Sequence, residues 1–435
     1  MSRILKAGTT AESTSRHPKV LIISQGAPGV GKDANSIMLR RLLVGFPKDS
    51  YVVLASSRNW PDNCVPERQW NEGYRCFRNS LRHGGSRVDQ KEPSTVTPPT
   101  GRSAFLTTTS VKNCLRAIFL RVFLDPLALI VQTRSATAEA VALVRSEAIT
   151  SILAVSDYGP CLIAGWKASR VTGVPLDLFF FDLWLENVLP FFQHLMARLY
   201  QPRVFATARY VCAAGAGSGV YLDRQYGLRT VVMNNTADII ELPGVEKNGM
   251  SPMVVVLSGS VGWPQADAVL DMVRAINSMD GVEIHVYSHQ SVEELGSIGV
   301  AGPNVLLCGG LPEEDMRKVQ KTADLLFVPM SFGKKGVHVI ETAQPAKLVD
   351  YMASGVPVLV HAPAYSFVAR YAREHDVALV ADQPGPEGLK DTLARMLLDR
   401  TEARRKAVLA LALVARDHDP AATSLRLQSL ILCER

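Results

Sequence analysis

Apolar residues along this chain fall into short unbroken runs separated by stretches of helical spacing. Lys19–Ser24 (KVLIIS) follows a polar start and has the form of a first strand. A Gly/Pro loop occupies 25–32, apolar residues then recur at helical spacing over about 34–44, and Tyr51–Ala55 (YVVLA) reads as a second strand. Periodicity is lost over 58–104, which is rich in Asn, Arg, Pro, Ser and Thr; this predicts a long, mobile insertion. Helices are expected at about 111–124 and 136–147. Strands at 151–155, 175–181, 210–213 and 230–233 then alternate with helices at 160–172, 189–200 and 218–226.

After a polar, turn-rich stretch at 234–249 the alternation restarts. Met253–Ser258 (MVVVLS) begins a second series, followed by strands at 283–287, 305–307, 325–328, 357–360 and 378–380. Alternating strands and helices imply parallel sheets covered on both faces. The expected fold is therefore α/β, with two Rossmann-like doubly wound domains. Such sheets bind ligands beyond the carboxyl ends of their strands, so a cleft between the domains is the natural site. The expected division is a disordered tail at 1–18, a first domain at 19–245, a second at 246–410, and a C-terminal helix at 411–435 that could pack back on the first domain.

Composition changes this picture little. The chain has 435 residues, 47% of them hydrophobic and 20% charged, enough apolar material for two cores. A net charge of +6 is a mild bias toward anionic ligands such as nucleotide diphosphates or acidic headgroups. Seven scattered cysteines without a CxxC pair argue against a disulfide framework or zinc site and for a reducing compartment. The first 18 residues lack an apolar core of secretory length, and the run 117–131 is short and interrupted by Arg121, Asp125 and Pro126. No transmembrane helix is predicted, and the protein is expected in the cytoplasm without a nucleic-acid partner. Lys112, Arg116 and Arg121 alternate with Leu115, Ile118, Phe119 and Phe123, which suits either a membrane interface at 111–124 or a core helix with one polar stripe.

Gly26–Asp33 (GAPGVGKD) satisfies the first seven positions of the phosphate-binding pattern G-x-x-x-x-G-K-[ST]. Asp33 stands where that pattern needs a metal-binding hydroxyl, and an ionised carboxylate cannot donate a hydrogen bond. An ATPase or kinase is thus one reading. The other needs only what the loop has: glycines that allow close backbone approach, before a helix with a positive N-terminus. On that reading Gly29, Val30, Gly31 and Lys32 face an acceptor or a phosphate.

The most specific segment is Pro345–Val358 (PAKLVDYMASGVPV), which resembles the form P-[ST]-K-h-h-E-Y-h-A-x-G-x-P-V of retaining, family-4-type glycosyltransferases (glycosyl transferases group 1). Val305–Met316 (VLLCGGLPEEDM), Ala323–Pro329 (ADLLFVP), Pro175–Glu186 (PLDLFFFDLWLE) and Val231–Asp238 (VVMNNTAD) resemble further landmarks in the same order. The resemblance covers about 19–400 and implies GT-B architecture. It also implies transfer of a sugar from a nucleotide sugar to a carbohydrate or lipid-linked acceptor, without a cofactor or required metal. It implies that Asp350 accepts from the donor's ribose and that Lys347 meets the phosphates, with Leu348 beside them. The Arg and Lys that usually follow the second domain's first strand are missing; Ser258, Gly259 and Ser260 could offer amides and hydroxyls, and Lys334 charge. The position for a first acid, eight residues before Asp350, is Thr342, with Glu341 one residue off. Asp182, Glu341 and His361 are the candidates for chemistry. These departures leave a third reading open, a degenerate GT-B protein that binds without turnover.

Overall fold

The computed structural model describes residues 18–28, 34–56, 125–239 and 252–432, together with the backbone of 74–77. Its helices are α1 (Ala34–Leu42), α2 (Asp125–Ser146), α3 (Pro160–Thr172), α4 (Phe191–Thr207) and α5 (Ala216–Tyr226) in the first half. The second half has α6 (Ala266–Ile276), α7 (Val292–Ser297), α8 (Glu313–Thr322), α9 (Val337–Thr342), α10 (Ala346–Ala353), α11 (Phe367–Glu374), α12 (Glu387–Leu398), α13 (Thr401–Asp417) and α14 (Pro420–Leu432). Seven strands, β1 (Val20–Ser24), β2 (Tyr51–Ser56), β3 (Tyr74–Phe77), β4 (Ser151–Val155), β5 (Leu176–Phe180), β6 (Ala208–Ala214) and β7 (Val231–Met233), form one sheet in the order 3-2-1-4-5-6-7. Six more, β8 (Met253–Ser258), β9 (Val282–Tyr287), β10 (Val305–Leu307), β11 (Leu325–Pro329), β12 (Val358–His361) and β13 (Leu379–Ala381), form the second in the order 10-9-8-11-12-13. Every pairing in both is parallel.

This is the two-domain α/β fold that the alternation predicts. β1, β4, β5 and β11 are buried at every position, which is why their sequences are apolar throughout rather than alternating. The differences have local causes. β3 lies inside the stretch read as an irregular insertion, on the sheet edge, where only one neighbour holds it. α2 starts at Asp125, earlier than expected, because Pro126 sits in the first turn, where a missing N–H costs nothing. α2 is long and apolar enough to cross a membrane, yet Leu129, Ala136, Ala140 and Leu143 are buried in the first domain's core. α4 continues to Thr207 through Pro202, which is exposed. The segment 111–124 and the loop residues Gly29, Val30, Gly31 and Lys32 lie outside the described residues.

The chain ends where it began. α13 lies against the second domain, with Ala410, Leu413 and Val414 in its core. α14 returns to the first, where Leu427 and Ile431 join the cluster around Val20, Ile22 and Leu43. The two crossings of the chain are bonded to each other. Asn234 Nδ2 donates to Asp417 O at 3.1 Å, Ala237 N to His418 O at 3.2 Å, and the buried His418 ring contacts Asn235 O at 2.6 Å.

Helix–sheet contact is closest at Gly165 of α3, where an added Cβ would lie 2.7 Å from the Ala154 Cβ and 3.2 Å from Leu176 Cδ1. Gly165→Val should therefore force α3 off β4 and β5, costing about 1–3 kcal/mol as overpacking does; a urea-unfolding midpoint equal to wild type would contradict that close packing.

Candidate functional site

The carboxyl ends of β8 and β9 and the start of α8 in the second domain face α1 of the first. Between them opens a cavity of about 470 Å³. Its walls include Ser258 and Gly259 after β8, Tyr287 and His289 at the end of β9, Asp350 on α10, and Arg41 on α1. This is where an open parallel sheet presents its ligand-binding edge.

Helix α10 fixes the floor. The Tyr351 hydroxyl accepts from Ser258 N at 2.8 Å and contacts Ser258 Oγ at 2.9 Å, while Lys347 Nζ donates to Ser258 O at 2.7 Å. Gly259 takes φ 94°, a left-handed conformation that favours glycine, and the site for its missing Cβ is 3.5 Å from Lys347 Nζ. Gln290 holds the chain two residues further on, accepting from Val261 N at 2.6 Å. The turn after β8 is thus pinned from two sides and carries an ammonium directly beneath it. Desolvation lowers the Lys347 pKa to about 8, and burial raises the Tyr351 phenol to about 12.

Asp350 lies one turn from the start of α10. Its Oδ1 accepts from Arg41 Nη1 at 2.7 Å, and its Oδ2 has no partner among the described residues. Burial raises the Asp350 carboxyl above its ordinary pKa, with Arg41 pulling against that rise. Arg41 also donates to Thr236 O at 2.5 Å and to Glu313 Oε1 at 3.0 Å. Arg40 and Arg317 contact Glu313 as well, at 2.8 and 2.5 Å, and Arg317 reaches Asp238 at 3.1 Å. Burial alone would raise Glu313; Arg41, Arg40 and Arg317 outweigh it and hold that carboxyl below its ordinary value.

Ser258, Gly259, Lys347 and Asp350 are therefore brought together, and Ser260 is exposed on the same turn. Leu348 is not available to a ligand: its side chain is fully buried and its N–H donates to Pro345 O at 3.0 Å. Lys334 is exposed in the segment after β11, which Asp267 organises by accepting from Ser331 Oγ, Phe332 N and Gly333 N at 2.8, 2.9 and 3.1 Å. His361 is fully buried, with Nδ1 against Ala381 O at 2.9 Å, Nε2 against Asp271 Oδ2 at 3.4 Å, and its ring 4.7 Å from that of Phe332. Both ring nitrogens are engaged inside the second domain, so the ring as placed offers nothing to the cleft. Glu341 sits on the short helix α9 and pairs with His338 at 3.7 Å. Thr342 is buried and donates to His338 O at 2.7 Å. Neither lines the cavity. Asp182, after β5, is exposed and has no partner among the described residues.

Arg41, Glu313 and Tyr351 were not singled out from sequence. Tyr351 carried a signal, as the aromatic next to Asp350 in the motif; Arg41 carried none, because a basic residue in the last turn of a helix is ordinary.

The two-domain fold is of the GT-B type. Residues 300–408, which include β11, α10 and Asp350, match the family model for glycosyl transferases group 1. Solved structures with the same fold include Anabaena HepE in complex with UDP-glucose, at 16% identity and TM-score 0.63, over 95% of this chain and 99% of that one. Sucrose-phosphate synthase from Thermosynechococcus elongatus aligns at 13% identity and TM-score 0.62, over 95% and 98%. A putative UDP-N-acetylglucosamine 2-epimerase from Listeria monocytogenes aligns at 13% identity and TM-score 0.55, over 95% and 96%. The last shows that the fold alone does not select the reaction. No curated protein sequence matches the chain significantly.

Lys347 gives a test of this packing. Its pKa of about 8 in the folded protein lies below the ordinary lysine value of 10.5, so between the two the unfolded chain binds more protons and wild-type stability rises with pH. The stability difference between wild type and Lys347→Met should therefore move in favour of wild type from pH about 7.5 to about 10. A difference independent of pH in urea titrations would place the ammonium in solvent.

Proposed function

We propose that the protein transfers a sugar from a nucleotide-diphosphate sugar, with retention of configuration, to a carbohydrate or lipid-linked acceptor in polysaccharide or glycolipid biosynthesis. The observation that carries this reading is the cavity that Ser258, Gly259 and the Asp350 carboxyl line together, with the Lys347 ammonium bonded to Ser258 O. UDP-glucose in the Anabaena HepE structure supports the ligand class, and the group 1 match supports the reaction type.

The chemistry asks for little more than these groups. As the sugar–oxygen bond breaks, negative charge grows on the departing diphosphate, and the oxocarbenium-like centre must be kept from water. Lys347 and the hydroxyls of Ser258 and Ser260 meet that charge, since Ser258 N and Gly259 N already donate to Tyr351 Oη and Tyr287 O, and Lys334 is assigned further positive charge from the segment after β11. Asp350 accepts from the ribose. Asp182 and Glu341 stay the carboxylate candidates for the chemistry, and Gly29, Val30, Gly31 and Lys32, outside the described residues, are assigned to the acceptor or a phosphate. The charge is met by protein groups, so no resident metal or cofactor is part of the mechanism. The acceptor reaches the protein from the cytoplasm or from the inner face of a membrane.

A second reading is favoured by one observation. The position of the family's first acid is Thr342, and it is turned into its own helix rather than toward the cavity. On that reading the protein binds a nucleotide sugar without turning it over.

Thermal-shift titration with UDP, GDP, ADP and ATP, with and without Mg²⁺, should show stabilisation by a nucleoside diphosphate without metal. Asp350→Ala should weaken that binding by about 1–3 kcal/mol, the scale of a lost charge-assisted hydrogen bond. Stabilisation by Mg-ATP alone would sink the proposal. Binding without hydrolysis or transfer of any sugar donor would leave the second reading.

A further inference from the structure

The ribose carboxylate assigned above belongs to the second domain, yet its nearest charge comes from the first. Arg41 has a side chain only 3% exposed, and it is aimed across the domain boundary. Its Nη1 meets Asp350 Oδ1 and Thr236 O, its Nη2 meets Glu313, and its Nε is buried without a partner. Other ion pairs cross or flank the boundary here, Arg40 with Glu313 and Arg317 with Asp238, but Arg41 alone among the described residues contacts Asp350. It takes one carboxylate oxygen and leaves Oδ2, the atom without a partner, on a side chain that lines the cavity.

We infer that Arg41 is a positioning residue of the nucleotide site: from the first domain it holds Asp350 ionised and turned so that Oδ2 accepts from a ribose diol, and it makes that acceptor complete only when the two domains are together. The inference rests on the assignment of this cavity to a nucleotide. Aspartate is one methylene shorter than the glutamate usual at this position, so its orientation has less slack, and a guanidinium that fixes one oxygen removes a rotamer that the diol would otherwise have to select. Positive charge from α1 also lies beside a site whose own domain lacks the usual Arg and Lys after its first strand.

A pH profile separates this role from plain domain adhesion. The groups around Asp350 are Arg40 and Arg41 on α1, Glu313, Arg317 and Lys321 on α8, Asp238 in the connecting segment, and Lys347 and Tyr351 on α10. On the far side of α10, Arg405 and Lys406 of α13 are turned to Asp376. Burial favours the protonated form of Asp350 and Arg41 opposes it, so without Arg41 the carboxyl takes up its proton at higher pH.

The experiment is isothermal titration of the full-length protein with UDP, and with GDP and ADP should UDP not bind, from pH about 5.5 to about 7.5. Arg41→Met should weaken binding about tenfold at the upper end and progressively more as pH falls, while wild type changes less; Arg41→Lys should keep the flatter profile at reduced affinity. Adding Asp350→Asn to Arg41→Met should abolish the extra loss in acid. Wild-type affinity and profile in both Arg41 variants, with Asp350→Asn weakened, would overturn this inference alone. Failure of the wild type to bind any of the three diphosphates would overturn the nucleotide site and the inference with it. Thermal unfolding of each variant checks folding, and should Arg41→Met not fold, Arg41→Lys carries the test by its affinity.

Discussion

A buried guanidinium must find acceptors, and Arg41 finds its acceptors outside its own helix. Desolvating such a charge costs several kcal/mol, and only well-placed partners offset it. Here they are a carbonyl at the end of the first domain, a carboxylate at the start of α8 and another on α10. Separating the domains would strand that charge, so the requirement to satisfy Arg41 acts on the relative position of two sheets. Small residues make the approach possible elsewhere along the seam. A Cβ on Gly217 would lie 2.3 Å from Thr342 O, and one on Gly336 2.9 Å from Val188 Cγ2.

Within the second domain the same logic runs through α10. Its apolar side, with Leu348, Val349 and Met352, is buried against the sheet and α13. Tyr351 and Lys347 reach the turn after β8 from that fixed base. One helix thus anchors the core, braces the turn and presents Asp350. That explains why the motif spanning it is the most specific segment of the chain: packing and bracing constrain the same eight residues that carry Asp350 to the cavity.

The fold was legible in the sequence because strands buried on both faces leave runs such as VLIIS and LLFVP that nothing in a surface segment imitates. α3 was legible to the residue, since Pro160 opens it and Gly173, at φ 75°, closes it. β3 was not, because a four-residue edge strand with sequence YRCF has no apolar run. α9 was not, because six residues are too few for a periodicity. The site was legible only where chemistry and local sequence coincide, at Ser258, Gly259, Lys347 and Asp350. His361 shows the limit: a histidine ending a buried strand satisfies a core network as well as a cleft. Arg41 shows the other, since its partners lie 195 residues or more away along the chain.

The return of α14 has a consequence for synthesis. Domains generally fold as units, the N-terminal one first, while the chain is being made. Here the first domain's core includes Leu427 and Ile431, contributed by the last helix described. Its sheet can assemble early, but the face that covers Val20 and Ile22 stays open until α14 has been made. The second domain, encoded before α14, is complete sooner. An unfinished apolar surface must therefore persist on the nascent chain throughout the making of its neighbour, and a chain cut short before α14 would carry one sound half and one adhesive one.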